Sequence, residues 1–319
     1  MRIFWRLVAV LVVVGLGFGV LYYEHPEWVM RQGTHLGLFF SRVQSNYVMT
    51  PEGRIHYYEA EPGIPGGGVP LVLVHGLADR DESWTPMLKR LKRAGFHVYA
   101  LDLLGAGRSP APADSDYSIA TQEQLVADFI QSLGLQKPDV GGWSSGGWIV
   151  LKLALDHPDM VDRVVVYDSA GLKQQQTGKA EPLFRPQTEE DVQELASALG
   201  ARKLPGFVAR DALRRLQGQQ WVTDRAMASM ADGKDTLDDR LSKLQSPLLI
   251  VWGADDKLLA VGVGMQMHQL DPRSELDIME GCGHLAPKTC APRVAAATAD
   301  FLKAVPAPMG QVRTLAKMR

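Results

Sequence analysis

Cysteine is nearly missing from this chain: there are two among 319 residues, Cys282 and Cys290. Two cysteines make no disulfide framework and have no zinc-ligand spacing, so no metal site is expected. An excess of one charge is also missing. Lysine and arginine number 34 against 36 acidic residues, for a net charge of −2 and no run of like charge. The basic stripe that nucleic-acid binding demands is therefore lacking, and no nucleic-acid partner is expected. No internal repeat or low-complexity tract interrupts the chain.

What is present is ordinary for a globular protein, with 46% apolar and 22% charged residues. The length suits one large domain with an insertion, or two domains. The amino terminus departs from that average. Residues 7–23 contain no charge and are rich in Val, Leu and Gly, which just reaches the lower limit for crossing a bilayer. Arg2 and Arg6 precede the run; Glu24 and Glu27 follow it. The positive-inside rule keeps the first residues cytoplasmic and sends the rest across, to the periplasm in a bacterium. A cleaved signal peptide has similar regions. However, Gly17-Phe18-Gly19 makes a poor cleavage site, and Tyr22 and Tyr23 suit a membrane interface. We read 1–23 as a retained single-pass anchor. Gly15 and Gly19 form a GxxxG pair, read here as small helix residues without a dimer role.

Residues 24–47 form a juxtamembrane segment. Leu36, Phe39, Phe40 and Val43 recur at helical spacing, which fits either a helix packed on the domain or an interfacial helix. We take the interfacial reading. From residue 48 the pattern becomes regular. Strands are expected at 54–60, 71–75, 97–102, 137–142, 161–168, 247–252 and 275–279. Helices are expected at 84–94, 123–133, 145–157 and 291–302, and a Gly/Pro loop at 62–68. Alternating strands and helices mean a parallel sheet covered on both faces. Between residues 172 and 243 the strand pattern stops and the sequence turns polar and helix-prone. We read this stretch as a helical cap inserted into a core of 48–171 and 244–304. The basic tail 305–319 is expected to be mobile.

Gly142-Trp143-Ser144-Ser145-Gly146 fits G-x-S-x-G, placed after a strand and before a helix. In that setting the serine sits on a sharp, strained turn, and the glycines let neighbouring backbone pass closely. The following helix points its amino end at the site and favours negative charge there. A serine hydroxyl is a poor nucleophile at neutral pH and needs a base. His284, in Gly281-Cys282-Gly283-His284, lies just beyond the last expected core strand. The base in turn needs an acid to fix its tautomer. Asp255 and Asp256 both follow a strand, in Trp252-Gly253-Ala254-Asp255-Asp256, and either can serve. Serine, then aspartate, then histidine is the chain order of the α/β-hydrolase arrangement. Backbone N–H groups of Leu77 and Ser145 are the candidate oxyanion donors, with His75 bracing the 75–77 turn.

Five motifs now stand in order: HGL (75–77), DLLGAGRS (102–109), GWSSGG (142–147), WGADD (252–256) and GCGH (281–284). Residues 48–302 resemble α/β-hydrolases throughout. The resemblance implies an α/β-hydrolase fold with Ser144, Asp256 and His284 as a triad and no cofactor. It assigns the acid to Asp256, four after the tryptophan; some relatives put it where Asp168 stands. DLLGAGRS is a structural turn in such proteins. The chain also looks like membrane-anchored monoacylglycerol lipases. The similarity lies in the anchor, Asp168-Ser169-Ala170-Gly171-Leu172, Pro186-Gln187-Thr188-Glu189-Glu190 and WGADDKLL. Many of those relatives have S-M-G-G where this chain has Ser144-Ser145-Gly146-Gly147.

The expected activity is a serine carboxylic ester hydrolase acting on a lipid-like ester beside a membrane. C–C bond hydrolysis on the same scaffold is the rival within enzymes, and a catalytically silent, membrane-tethered binding protein is the rival outside them. Cys282 and Cys290 could pair in an oxidising compartment; we read Cys282 instead as a small residue packed beside His284.

Overall fold

Apolar runs such as Leu71–Val74 have room on neither face for polar side chains, so they need helices on both sides. The computed structural model describes residues 1–63, 67–173 and 181–317. Part of the expected 62–68 loop, the start of the expected cap at 174–180 and the last two tail residues lie outside the described residues. In chain order the elements are α1 (Arg2–Glu24), α2 (Pro26–Phe40), β1 (Gln44–Thr50), β2 (Gly53–Ala60), β3 (Val69–Val74), α3 (Thr85–Arg93), β4 (Phe96–Leu101), α4 (Ile119–Ser132), β5 (Asp139–Trp143), α5 (Ser145–Asp156) and β6 (Val164–Tyr167). There follow α6 (Glu189–Ala198), α7 (Gly206–Gly218), α8 (Gln220–Asp232), β7 (Leu248–Gly253), α9 (Val261–Leu270), β8 (Glu275–Met279), α10 (Ala286–Thr289), α11 (Ala291–Lys303) and β9 (Val312–Leu315).

Among the described residues the strands form one sheet in the order β1-β2-β4-β3-β5-β6-β7-β8-β9. β2 is antiparallel to both its neighbours, and the other pairings are parallel. The period of two along each strand divides the interior. Val72, Val74, Val164, Val166, Leu248 and Ile250 join α4 and α5 in one core. Leu71, Leu73, Val165, Tyr167, Leu249 and Val251 join α3 and α11 in the other. A third, smaller cluster holds the cap together: Val192 and Leu195 of α6 against Ala209, Ala212 and Leu216 of α7.

Several expectations need correction. The sheet starts at Gln44, ahead of the expected boundary at 48. The expected mobile tail carries β9, which pairs in parallel with β8. Its physical anchor is Arg313, whose guanidinium donates to both oxygens of the buried Asp277 at 2.7 and 2.8 Å. Helix α9 was not anticipated, because its Gly- and Met-rich stretch gives little helical periodicity.

α1 is long and apolar enough to cross a membrane, by length and composition. Its last turn meets the cap: the Tyr22 and Tyr23 rings lie 5.5 and 5.4 Å from Phe207 of α7. Arg214 donates to the Glu24 carbonyl at 2.7 Å. α2 is two-faced. Leu38 is buried, and Glu27, Arg31 and His35 point at the domain, while Trp28, Leu36, Phe39 and Phe40 are exposed.

Candidate active site

Strand β5 runs through Gly141 and Gly142 into α5, and the turn between them fixes Ser144 at φ 57° and ψ −121°. A non-glycine residue at positive φ is strained and survives only where its surroundings hold it. Those surroundings are visible here. The Ser144 N–H donates to the Tyr167 carbonyl at 2.9 Å, and the Ser144 carbonyl accepts from Ala170 and Gly147 at 3.0 Å each. The flanking glycines are steric requirements. A Cβ on Gly142 would lie 2.2 Å from the Gly146 carbonyl oxygen, and one on Gly146 would lie 2.3 Å from that of Val74.

His284 Nδ1 lies 2.8 Å from Asp256 Oδ2, and both residues are buried. A carboxylate has no proton to give, so Nδ1 carries the hydrogen and Nε2 keeps its lone pair. The other oxygen, Asp256 Oδ1, accepts the N–H groups of Leu258 and Leu259 at 2.8 and 2.9 Å. Each oxygen of this carboxylate is thus accounted for. Asp255 faces solvent. Asp168, at the end of β6, is fully buried and takes the Gly253 N–H on Oδ1 at 2.7 Å; its other oxygen has no partner. Burial, with the negative Asp256 nearby, pushes the Asp168 carboxyl well above the usual range, toward its neutral form. Ser144 and His284 border the same cavity, but no hydrogen bond joins Ser144 to His284 among the described residues. Such contacts often close only when substrate is bound.

His75 is pinned between two backbones. Nδ1 bonds the Gly76 carbonyl at 2.8 Å, and Nε2 accepts the Leu103 N–H at 3.1 Å. It thereby ties the 75–77 turn to the end of β4. Leu77 borders the cavity that holds Ser144, and Leu77 and Ser145 together border a smaller neighbouring hollow that shares residues 76–79 with it. Among the described residues, neither N–H donates to a backbone carbonyl.

The cavity over Ser144 and His284 measures about 640 Å³. Cap residues such as Phe184, Val192, Leu195, Leu204 and Leu216 give it an apolar side. Charged residues line it as well, partly from α2, through Glu27 and Arg31. Sequence reasoning missed that role for α2. A signal existed: Glu27, Arg31 and His35 recur every four residues and so share one helix face. These residues do not point away from the protein. Arg31 Nε and His35 Nε2 each lie 2.6 Å from Glu82 Oε1, and Arg215 of α7 lies 2.8 Å from Glu27.

The reading of Cys282 as an unpaired packed residue is also overturned. Cys282 and Cys290 form a disulfide with their Cα atoms 6.2 Å apart. The single turn of α10 folds the chain back so that the two ends meet. His284 sits inside that closed loop.

Known proteins give a consistent comparison. The chain is similar to a membrane phospholipase A described as a bacterial virulence factor, with TM-score 0.77 and 26% identity, covering 95% of this chain and 98% of that one. It is 27% identical over 231 residues to lipase 1 of Psychrobacter immobilis, covering 68% of this chain and 72% of that protein. It is 26% identical over 263 residues to the 2-hydroxymuconate semialdehyde hydrolase of a Pseudomonas species, covering 74% and 88%. The family model for the alpha/beta hydrolase fold matches residues 69–289, from the first strand of the parallel sheet to the end of the base loop. That stretch is more than half of the chain, and the chain belongs to the α/β-hydrolase fold family.

Proposed function

We propose that this protein is a membrane-anchored serine hydrolase of lipid-like carboxylic esters, monoacylglycerol-like ones among them. The observation that carries the reading is the buried Asp256–His284 pair beside the strained Ser144, under one cavity with an apolar wall. Ser144 Oγ attacks the ester carbonyl while His284 Nε2 takes its proton. Asp256 holds Nδ1–H and stabilises the imidazolium. The N–H groups of Leu77 and Ser145 receive the developing oxyanion; one such donor is worth about 10²–10³-fold in turnover. His284 then protonates the departing alcohol. Water, deprotonated by the same imidazole, attacks the acyl-enzyme, and the acid leaves with Ser144 restored.

Position relative to the membrane supports a lipid substrate. Only His25 separates α1 from α2, and α2 borders the cavity, so an amphiphile leaving the bilayer has a short path to Ser144. The contacts of Tyr22 and Tyr23 with Phe207 favour a retained anchor over a removed leader. Charge asymmetry around α1 and the disulfide both favour a domain on the non-cytoplasmic, oxidising side. A second reading, cleavage of a C–C bond, has the similarity to 2-hydroxymuconate semialdehyde hydrolase behind it; an apolar cavity wall suits an acyl chain better than a small ionised substrate.

A fluorophosphonate probe should label the wild type and not Ser144→Ala. Labelling that persists in Ser144→Ala removes Ser144 as nucleophile. Monoacylglycerols of graded chain length should release fatty acid; turnover of C–C substrates alone would replace the ester assignment.

A further inference from the structure

The loop closed by the Cys282–Cys290 disulfide carries His284, Leu285 and Lys288 to the cavity, and two of them, His284 and Lys288, are polar. Lys288 Nζ lies 3.2 Å from Asp79 Oδ2 and 5.0 Å from the centre of the Trp143 ring. Asp79 stands two residues after Leu77, and its other oxygen accepts the Ser83 hydroxyl, which closes the turn. Trp143 immediately precedes Ser144 and donates its indole N–H to the His284 carbonyl at 2.8 Å. One ammonium group therefore touches the loop of the proposed oxyanion donor and the strand of the nucleophile. It is itself carried on the loop of the base.

Stability alone is a poor explanation for this arrangement. The Asp79 and Lys288 side chains are 21% and 32% exposed, and ion pairs that water reaches add little to stability. Burial opposes ionisation of Asp79, yet Lys288, His75 and the Ser83 hydroxyl hold its carboxyl below the ordinary range. The contacts of the pair join stretches around positions 79, 143 and 288, which no local backbone rule places relative to one another.

On the reading of Ser144, His284 and Asp256 given above, we infer that Asp79 and Lys288 are positioning residues that hold the Leu77 N–H in register with Ser144 and His284. Donor, nucleophile and base must be aligned together in the tetrahedral intermediate. A misplacement of about 1 Å can cost about 10²-fold in rate.

The test uses the full-length protein in detergent micelles with a soluble p-nitrophenyl butyrate substrate. Asp79→Asn and Lys288→Met should each lower kcat by about 10- to 100-fold, with KM within about twofold of wild type. The double variant should be no worse than the poorer single, because the two residues act as one unit. Lys288→Arg should recover most of the lost kcat. Fluorophosphonate labelling of Ser144 should persist but slow. Should Lys288→Met fail to fold, Asp79→Asn and Lys288→Arg carry the same comparison. Folded single variants with wild-type kcat, a loss confined to KM, or additive losses in the double variant would each overturn the inference and leave the triad standing. A wild type that neither labels nor turns over the ester would sink the triad reading, and this inference with it.

Discussion

A carboxyl group takes its role from what its two oxygens find. Asp256 finds an imidazole and two N–H groups, whereas Asp168 finds one N–H and a second, unpartnered oxygen in the dark of the core. The first is hydrogen-bonded through both oxygens, and burial pushes the second toward its neutral form. Asp256→Asn should therefore lower kcat by about 10⁴-fold, since an amide cannot hold the same histidine tautomer. Asp168→Asn replaces one neutral group by another of similar shape and should keep kcat within a few-fold; both follow from steady-state rates on a soluble ester. Asp139, at the start of β5, is a related case without a role in the chemistry. Burial, then the nearby Asp162, pushes its carboxyl up to about 7. A raised folded-state value means that its contribution to stability is whole below about pH 4 and is lost as pH climbs through 7. Asp139→Asn should thus raise the melting temperature at pH 8 by an amount that shrinks toward pH 4. Equal shifts at both pH values would exclude the protonated state. Ser144 and His284 were legible in the sequence because their chemistry needs particular neighbours at short range. Asp255 and Asp256 were not separable by spacing, because the turn that buries one and exposes the other is set by Leu258 and Leu259 folding back onto the chosen carboxylate.

At the scale of elements, the core strands and helices follow from periodicity, since burial on two faces or one writes itself into the order of apolar residues. β9 escaped that logic. Four residues with alternating exposure make a weak pattern, and the strand exists because β8 offers an edge and Asp277 a buried charge. Arg313→Met should cost about 2 kcal/mol of stability by leaving Asp277 uncompensated, read as a drop in the denaturation midpoint at constant m-value. α2 is the other element whose meaning is tertiary. Its exposed aromatic face agrees with an interfacial helix, yet its opposite face is clamped to the domain through Glu82, which binds Arg31, His35 and Arg80 at once. Glu82→Gln should loosen that clamp. Amide exchange across 26–40 should accelerate, while exchange in β5 and α5 stays as in wild type.

The whole molecule combines a sheet that holds the site, a cap that roofs it and an arm that ties both to an apolar helix. A single covalent link, the disulfide between Cys282 and Cys290, eight positions apart, reinforces this framework where the base sits. Closing a loop of that size is worth about 2–3 kcal/mol in the chain-entropy model. The mature protein should gain the mass of two hydrogens on reduction, and its melting temperature should fall. No change in mass would mean that the thiols are free and the compartment reducing. The cysteines could not be paired by reading the sequence, because their separation is compatible with either state and the deciding turn is tertiary.

The position of α2 also bears on how the protein can be handled. Membrane enzymes are often made tractable by deleting everything up to the first strand, here residues 1–43. That cut would remove Glu27 and Arg31 from the cavity wall, strip Glu82 of Arg31 and His35, and strip Arg215 of Glu27. Residues 26–40 and the domain share one cavity wall, so an inactive truncated preparation would say nothing about the chemistry of the intact chain.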